Sequence, residues 1–134
     1  MDDPVCGTSP HPWSAATKLV VGIIRPERLE AVQRELAAAQ VFRLTVSDVL
    51  GAATDAAAPA TAAQAYAGGG AGAPTSVRKV KLEVAVNEDF VEPTVRAIVR
   101  AGATDQGRGD GKVYVLPLEE AIRIRTGERG PDAI

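Results

Sequence analysis

This chain of 134 residues has one cysteine, one histidine and one tryptophan, and aromatic residues make up only 4% of it. A single thiol, Cys6, cannot close an internal disulfide, and no zinc ligand set is in sight. No apolar run is long enough to span a bilayer, and residues 1–17 lack the basic start and hydrophobic stretch of a secretory signal. The formal net charge is −2, so no global basic field draws the chain to nucleic acid; an anion site has to be local. The expectation is a cytoplasmic protein with no nucleic-acid partner and no direct membrane insertion. With so few rings, the core has to be built mostly from Val, Ile, Leu and Ala.

What is present organises the chain clearly. Residues 1–17 hold Pro4, Pro10, Pro12, His11 and Trp13 and read as a flexible N-terminal tail; residues 18–134 read as one domain. Residues 18–24 (KLVVGII) form an apolar, β-branched run expected as a buried strand. Pro26 then stands where a helix can begin, and Leu29, Val32 and Leu36 recur at helical spacing, predicting an amphipathic helix over 26–39. Residues 41–50 (VFRLTVSDVL) predict a strand with Phe42, Leu44 and Val46 on one face.

Residues 51–77 are dominated by Ala and Gly, with Asp55 as their sole charge and Tyr66 as their sole tyrosine. Pro59, Pro74 and Gly68-Gly69-Gly70 break any helix, and so small a side-chain inventory buries too little surface to offset ordering entropy. The segment is expected to be a long mobile loop. Residues 78–86 (RKVKLEVAV) alternate as a strand. A second helix follows to Ala101-Gly102, with Asp89 expected as its N-cap and Pro93 inside its first turn. Residues 112–116 form a further strand, and 122–125 are expected to be extended. This order predicts an α+β, ferredoxin-like split βαββαβ fold, with helices on one face of the sheet and oligomerisation covering the other.

The chemistry concentrates near the C-terminus, in GRGDGKVYVLPLEEAIRIRTGERG. Gly107, Gly109 and Gly111 free the backbone to turn and to bring N–H groups close to a ligand, while Arg108 and Lys112 add charge. Such a loop suits a di- or triphosphate, although Val113 after Lys112 excludes a Walker A loop. A glycine-rich turn with no ligand is the other reading of the same residues. Arg123 and Arg125, two apart in an extended segment, make either a phosphate clamp or two solvated side chains. The embedded RGD tripeptide carries little weight in a chain without secretory features.

The stretches KLVVGIIRPERLEAVQREL, LTVSDVLG, VRKVKLEVAV and GRGDGKVYVLPLEEAIRIRTGERG together resemble the P-II nitrogen regulatory proteins over residues 18–134, the long loop excepted. The resemblance implies a compact homotrimer and a non-enzymatic signalling protein with no obligatory cofactor. It implies ADP, AMP or ATP bound in intersubunit clefts, and a target protein (an enzyme, a transporter or a regulator) controlled through loop 51–77. It assigns nucleotide binding to Ile23, Thr45, Gly51, Glu83, Gly109, Asp110, Gly111 and Lys112, with Arg108 beside them and with Arg123 and Arg125 reaching a neighbouring subunit's nucleotide. It pairs Glu83 with Lys112 and gives Lys79 the carboxylate of 2-oxoglutarate.

The departures bear on ligand choice. Where the family reads Gly-x-Gly-Arg-Gln at the loop base, this chain reads Gly51-Ala52-Ala53-Thr54-Asp55. Tyr66 lacks the charged surroundings of the family's modified tyrosine, and the glycine loop is one residue longer before Gly109. The expectation is that nucleotide binding survives, that ADP or AMP is favoured over ATP, and that 2-oxoglutarate acts weakly. Asp55 is the one carboxylate at the loop base able to ligate magnesium with ATP. Competing readings are a divergent regulator of inorganic-carbon uptake or transport, a nucleotide-hydrolysing enzyme with Asp110 as its nearby acid, and a ligand-free trimeric scaffold.

Overall fold

The computed structural model describes residues 17–54, 65–66 and 74–134. The expected flexible tail, Thr17 apart, and the centre of the long loop, Asp55 included, lie outside the described residues.

The β-branched run forms β1 (Thr17–Ile24), and after Arg25 a single 3-10 turn (Pro26–Arg28) leads into α1 (Leu29–Ala38). There follow β2 (Thr45–Thr54), β3 (Ala65–Tyr66) and β4 (Pro74–Asn87), then a second 3-10 turn and α2 (Val91–Gly102), and finally β5 (Gly111–Pro117). The sheet order is β2-β4-β1-β5, with β3 on β4. Every pairing is antiparallel, and Val20 of β1 stands between Val84 of β4 and Val115 of β5. This is the predicted ferredoxin-like order.

Alternation puts Val20, Gly22 and Ile24 of β1 and Val80, Leu82, Val84 and Val86 of β4 on one face. Val32 and Leu36 of α1 and Ala97, Ile98 and Ala101 of α2 close over that face in a single aliphatic cluster. Gly22 lets α2 lie close: a Cβ there would stand 3.2 Å from Ile98 Cγ2. Among the described residues no helix covers the opposite face, and none is long and apolar enough to cross a membrane.

Five local expectations are corrected. Strand pairing begins at Thr45 and not at residue 41. Val41 is buried while Phe42 is 66% exposed, so the predicted Phe42 stripe does not face the core. Asp89 does not cap α2; a 3-10 turn over Glu88–Phe90 precedes it and Phe90 takes the cap position with no side-chain hydrogen bond. Pro93 still falls in the first turn, where its missing N–H costs nothing. The segment 122–125 is not a strand: Ile122 makes one isolated bridge to Arg129, and Ile124, expected to pack, is wholly exposed. Finally, the expected loop has a paired stem, with Gly51 opposite Val77 and Thr54 opposite Pro74, and Ala65–Tyr66 lies along the other side of β4.

The end of α1 generates a stability prediction. Val41 N–H donates to the Leu36 carbonyl at 2.8 Å and Gln40 N–H to the Ala37 carbonyl at 3.0 Å, which forces Gln40 to φ +68°. Glycine is the residue that takes this left-handed position without a Cβ clash. Gln40→Gly is expected to stabilise the fold by about 0.5–1 kcal/mol, the left-handed cost less the entropy that glycine loses on folding. A denaturation midpoint that stays put or falls would contradict this account of the helix end.

Candidate functional site

The glycine loop runs from the end of α2 to the start of β5. Gly107, Gly109 and Gly111 all adopt positive φ, at 70°, 85° and 110°. Gly111 has no alternative, because a Cβ there would lie 1.7 Å from the Ile23 carbonyl oxygen of β1. The loop is therefore pressed directly onto the strand that leads to α1.

Two cations hold it there. Arg25, the residue after β1, is only 6% exposed. Its Nε donates to Asp110 Oδ1 at 2.9 Å, and its terminal nitrogen donates to the Arg108 carbonyl. Lys79 of β4 donates its ammonium to the Gly109 carbonyl. Asp110 is held from the other side by Thr104, whose hydroxyl donates to Oδ1 at 2.6 Å and whose backbone N–H donates to Oδ2 at 2.9 Å. These hydrogen bonds, the Thr104 hydroxyl foremost and Arg25 after it, bring the Asp110 carboxyl down from 3.8 to about 2. Lys79 is shifted below the ordinary lysine value, first by desolvation and then by the neighbouring Arg25 charge.

Both carbonyls that face the cations belong to ordinary trans peptides. In a planar trans peptide the N–H points opposite to the C=O. The Gly109 amide is thus turned away from Arg25, as an anion-binding loop requires.

The helix-free face of the sheet supplies the rest. Ile23 and Lys112 are cross-strand partners, as are Thr45 and Glu83, so these four predicted residues share that face with Lys79. Gly51 lies on the same face of β2, and a Cβ there would sit 3.8 Å from Lys79 Cγ. The expected Glu83–Lys112 ion pair does not form: Glu83 pairs with Lys81 of its own strand at 3.9 Å, because β1 separates β4 from β5. Arg123 and Arg125 stand apart from the loop. Arg123 pairs with Glu128 at 3.1 Å and reaches the Ile134 carbonyl at 3.4 Å, while Arg125 is exposed beside the turn. A cleft of about 750 Å³ opens next to Thr45 and Glu83, bounded by Phe42, Phe90 and Ile134. Sequence reasoning does not single out Arg25 or Thr104. The only signal for Arg25 is a long cation immediately after a buried strand and before Pro26.

Comparison with known proteins places this geometry. A family model described as Nitrogen regulatory protein P-II matches residues 17–128. The chain is similar to nitrogen regulatory protein GlnK1 of Methanosarcina mazei, 47% identical over 121 residues that cover 89% of this chain and 98% of the relative. It is also similar to nitrogen regulatory protein P-II of Cereibacter sphaeroides, 42% identical over 117 residues, 87% of this chain and 99% of the relative. Among solved structures, Arabidopsis thaliana PII bound to citrate superposes with a TM-score of 0.69 at 33% identity, over 90% of this chain and 94% of the other. The B. subtilis GlnK-ATP complex superposes with a TM-score of 0.70 at 28% identity, over 90% and 98%.

The Asp110 network predicts a pH dependence with a definite sign. The folded-state value of about 2 lies below the ordinary 3.8, so the network's contribution is full above the higher value and drains as pH falls through the lower one. Wild type is expected to be more stable than Asp110→Asn at neutral pH, with the gap closing in that acid window. A gap in denaturation free energy that stays constant down to pH ~2 would show that the carboxylate's charge is not what Arg25 and Thr104 hold.

Proposed function

Because the chain belongs to the P-II family of nitrogen regulatory proteins, which are signal transducers and not enzymes, we propose that it binds an adenine nucleotide with its phosphates on the glycine loop and its base beside Thr45 and Glu83. The observation that carries this reading is the direction of the loop. Its carbonyls are held by Arg25 and Lys79, which turns the Gly109 amide away from Arg25 in a loop that leads into Lys112 at the start of β5. The B. subtilis relative was solved with ATP. Enzyme chemistry gains nothing from this arrangement, since Asp110, the acid nearest the loop, is occupied by Arg25 and Thr104.

The working form is a homotrimer in the cytoplasm. One protomer offers a one-sided cleft: Arg123 and Arg125 lie away from its own loop, and Tyr114, Leu116, Ile122 and Ile124 expose 47%, 43%, 52% and 100% of their surface. Exposed apolar area on this scale is characteristic of an assembly surface. In the trimer the two arginines serve a neighbour's nucleotide. Loop 51–77, carried on the stem of β2 and β4, docks on the target protein.

ADP or AMP is favoured over ATP. Thr54 and Asp55 stand where the family places an arginine and a glutamine, which removes a charge-assisted phosphate contact and adds a carboxylate whose repulsion grows with phosphate count. Among the described residues no cluster of His, Cys, Asp or Glu is arranged to hold a metal, so magnesium would depend on Asp55 and the nucleotide itself.

Titration calorimetry with ATP, ADP and AMP, with and without magnesium and 2-oxoglutarate, tests the reading. Lys112→Ala and Arg123→Ala are each expected to weaken ADP binding by about 1–3 kcal/mol, as for lost hydrogen bonds to charged groups. Trimers reassembled from a mixture of the two variants are expected to regain wild-type affinity at clefts that combine an intact Lys112 with a neighbour's intact Arg123. Unchanged affinity in both variants overturns the site. Tight magnesium-ATP binding, strengthened by 2-oxoglutarate, overturns the ligand preference alone.

A further inference from the structure

We infer that Arg25 is the positioning residue of the phosphate loop: its guanidinium, forked between the Asp110 carboxylate and the Arg108 carbonyl, sets the direction of the Gly109 amide before any ligand arrives. This rests on the reading of the loop as the nucleotide's phosphate site.

The guanidinium is buried, and burying a cation is costly unless it is fully hydrogen-bonded. The Asp110 carboxylate and the Arg108 carbonyl that accept from it both belong to the loop, 85 and 83 residues away in sequence. The loop is packed onto it so closely that a Cβ on Gly109 would meet its terminal nitrogen at 3.2 Å. A lysine cannot replace it. An ammonium is a point donor, whereas the planar fork reaches a side chain and a peptide carbonyl in fixed relative directions.

Three positive-φ glycines make the loop backbone permissive, and its own turn bond, from Asp110 N–H to the Gly107 carbonyl at 3.2 Å, leaves the 108–109 peptide plane in the middle of the turn able to face either way. Thr104 anchors the Asp110 side chain and accepts from the Gln106 N–H at 3.2 Å, while Lys79 holds the Gly109 carbonyl, whose peptide carries the Asp110 amide. The carbonyl of the peptide that aims the Gly109 amide accepts from the buried Arg25 guanidinium, which gives that peptide plane its direction. Without Arg25 that peptide samples both directions. Apparent affinity for a phosphate ligand then falls by the fraction of time that the amide faces outward. A ligand without phosphate feels none of this.

The test uses full-length wild type, Arg25→Met and Arg25→Lys. Hydrogen exchange is read at the amides of 107–111 in the ligand-free protein, with the β1 and β4 amides as reference. Calorimetry is run with ATP and with adenosine. In Arg25→Met the loop amides are expected to exchange about tenfold faster while the strand amides keep their rates, and ATP affinity is expected to fall about tenfold while adenosine affinity holds. Arg25→Lys is expected to recover little of either. Unchanged loop exchange overturns the inference, and so does an equal loss for ATP and adenosine. Absence of binding by wild type to ATP, ADP and AMP alike defeats the nucleotide reading instead, and the exchange measurement still decides the clamp. If Arg25→Met fails to fold, Thr104→Val, which removes one hydrogen bond from Asp110, is expected to shift exchange and ATP affinity the same way by less; no shift overturns the inference.

Discussion

The contact between Arg25 and Asp110 carries the β1–β5 pairing one residue past its last partners, Ile24 and Gly111, into the loops beyond the strands. Arg25 ends β1 and opens the turn into α1; Asp110 lies between α2 and β5. Their 2.9 Å bond therefore fastens both crossover connections of the fold to one point, at the edge of the sheet where the glycine loop emerges. The arginine side chain is 7% exposed and the aspartate 21%, so the pair is neither fully dry nor freely solvated. Thr104 completes it by satisfying the second carboxylate oxygen, which is what makes a partly buried ion pair tolerable. Arg28 adds a parallel tie by donating to the Ala101 carbonyl at 2.7 Å near the end of α2.

A second constraint is that two helices cover only one side of a four-strand sheet. The buried cluster on the covered side is aliphatic. The other side carries Leu19, Val21, Ile23, Tyr114 and Leu116 alongside Lys79, Lys81, Glu83 and Lys112. A surface of mixed valine-type residues and ordered cations is poor as a core and poor as a fully solvated face. It fits a neighbour that supplies apolar cover at one end and an anionic ligand at the other, which is the arrangement the proposed trimer provides.

Much of this was legible in the sequence, for identifiable reasons. Period-two and period-3.6 patterns gave β1, α1 and β4, because each buries one aliphatic face and nothing competes with that demand, while α2 was readable from Pro93 and Ala101-Gly102, and β5 was read as a strand although only Val113 of it is half-buried. The errors fell where local pattern and tertiary context disagree. Phe42 completes an alternating stripe in sequence, yet the left-handed turn at Gln40 feeds Val41 into the core instead. Asp89 has the chemistry of a cap, but the chain winds a 3-10 turn through it and starts the helix later. The alternation of Ile122, Arg123, Ile124 and Arg125 reads as a strand, yet without a partner strand it closes into a turn stabilised by Arg123 and Glu128. Asp110 and Lys112 were readable because they lie inside the glycine motif. Arg25 was not, because its partners are distant in sequence and no spacing rule links them.

The local electrostatics suit the proposed anion site even in a chain of net charge −2. Arg25, Lys79, Lys81 and Lys112 converge on the loop and the strands beneath it, against Asp110 and Glu83. Arg25 is committed to Asp110 and Lys81 to Glu83, so Lys79 and Lys112 carry the surplus. Lys79 registers that surplus directly: desolvation and the proximity of Arg25 both depress its affinity for a proton. A bound phosphate opposes both influences, since it supplies a nearby negative charge that favours the charged ammonium. The same lysine stands opposite Val49 of β2, two residues before the paired stem of the long loop reaches Gly51 and Val77. The lysine that holds the glycine loop is thus built into the same strand that carries the stem.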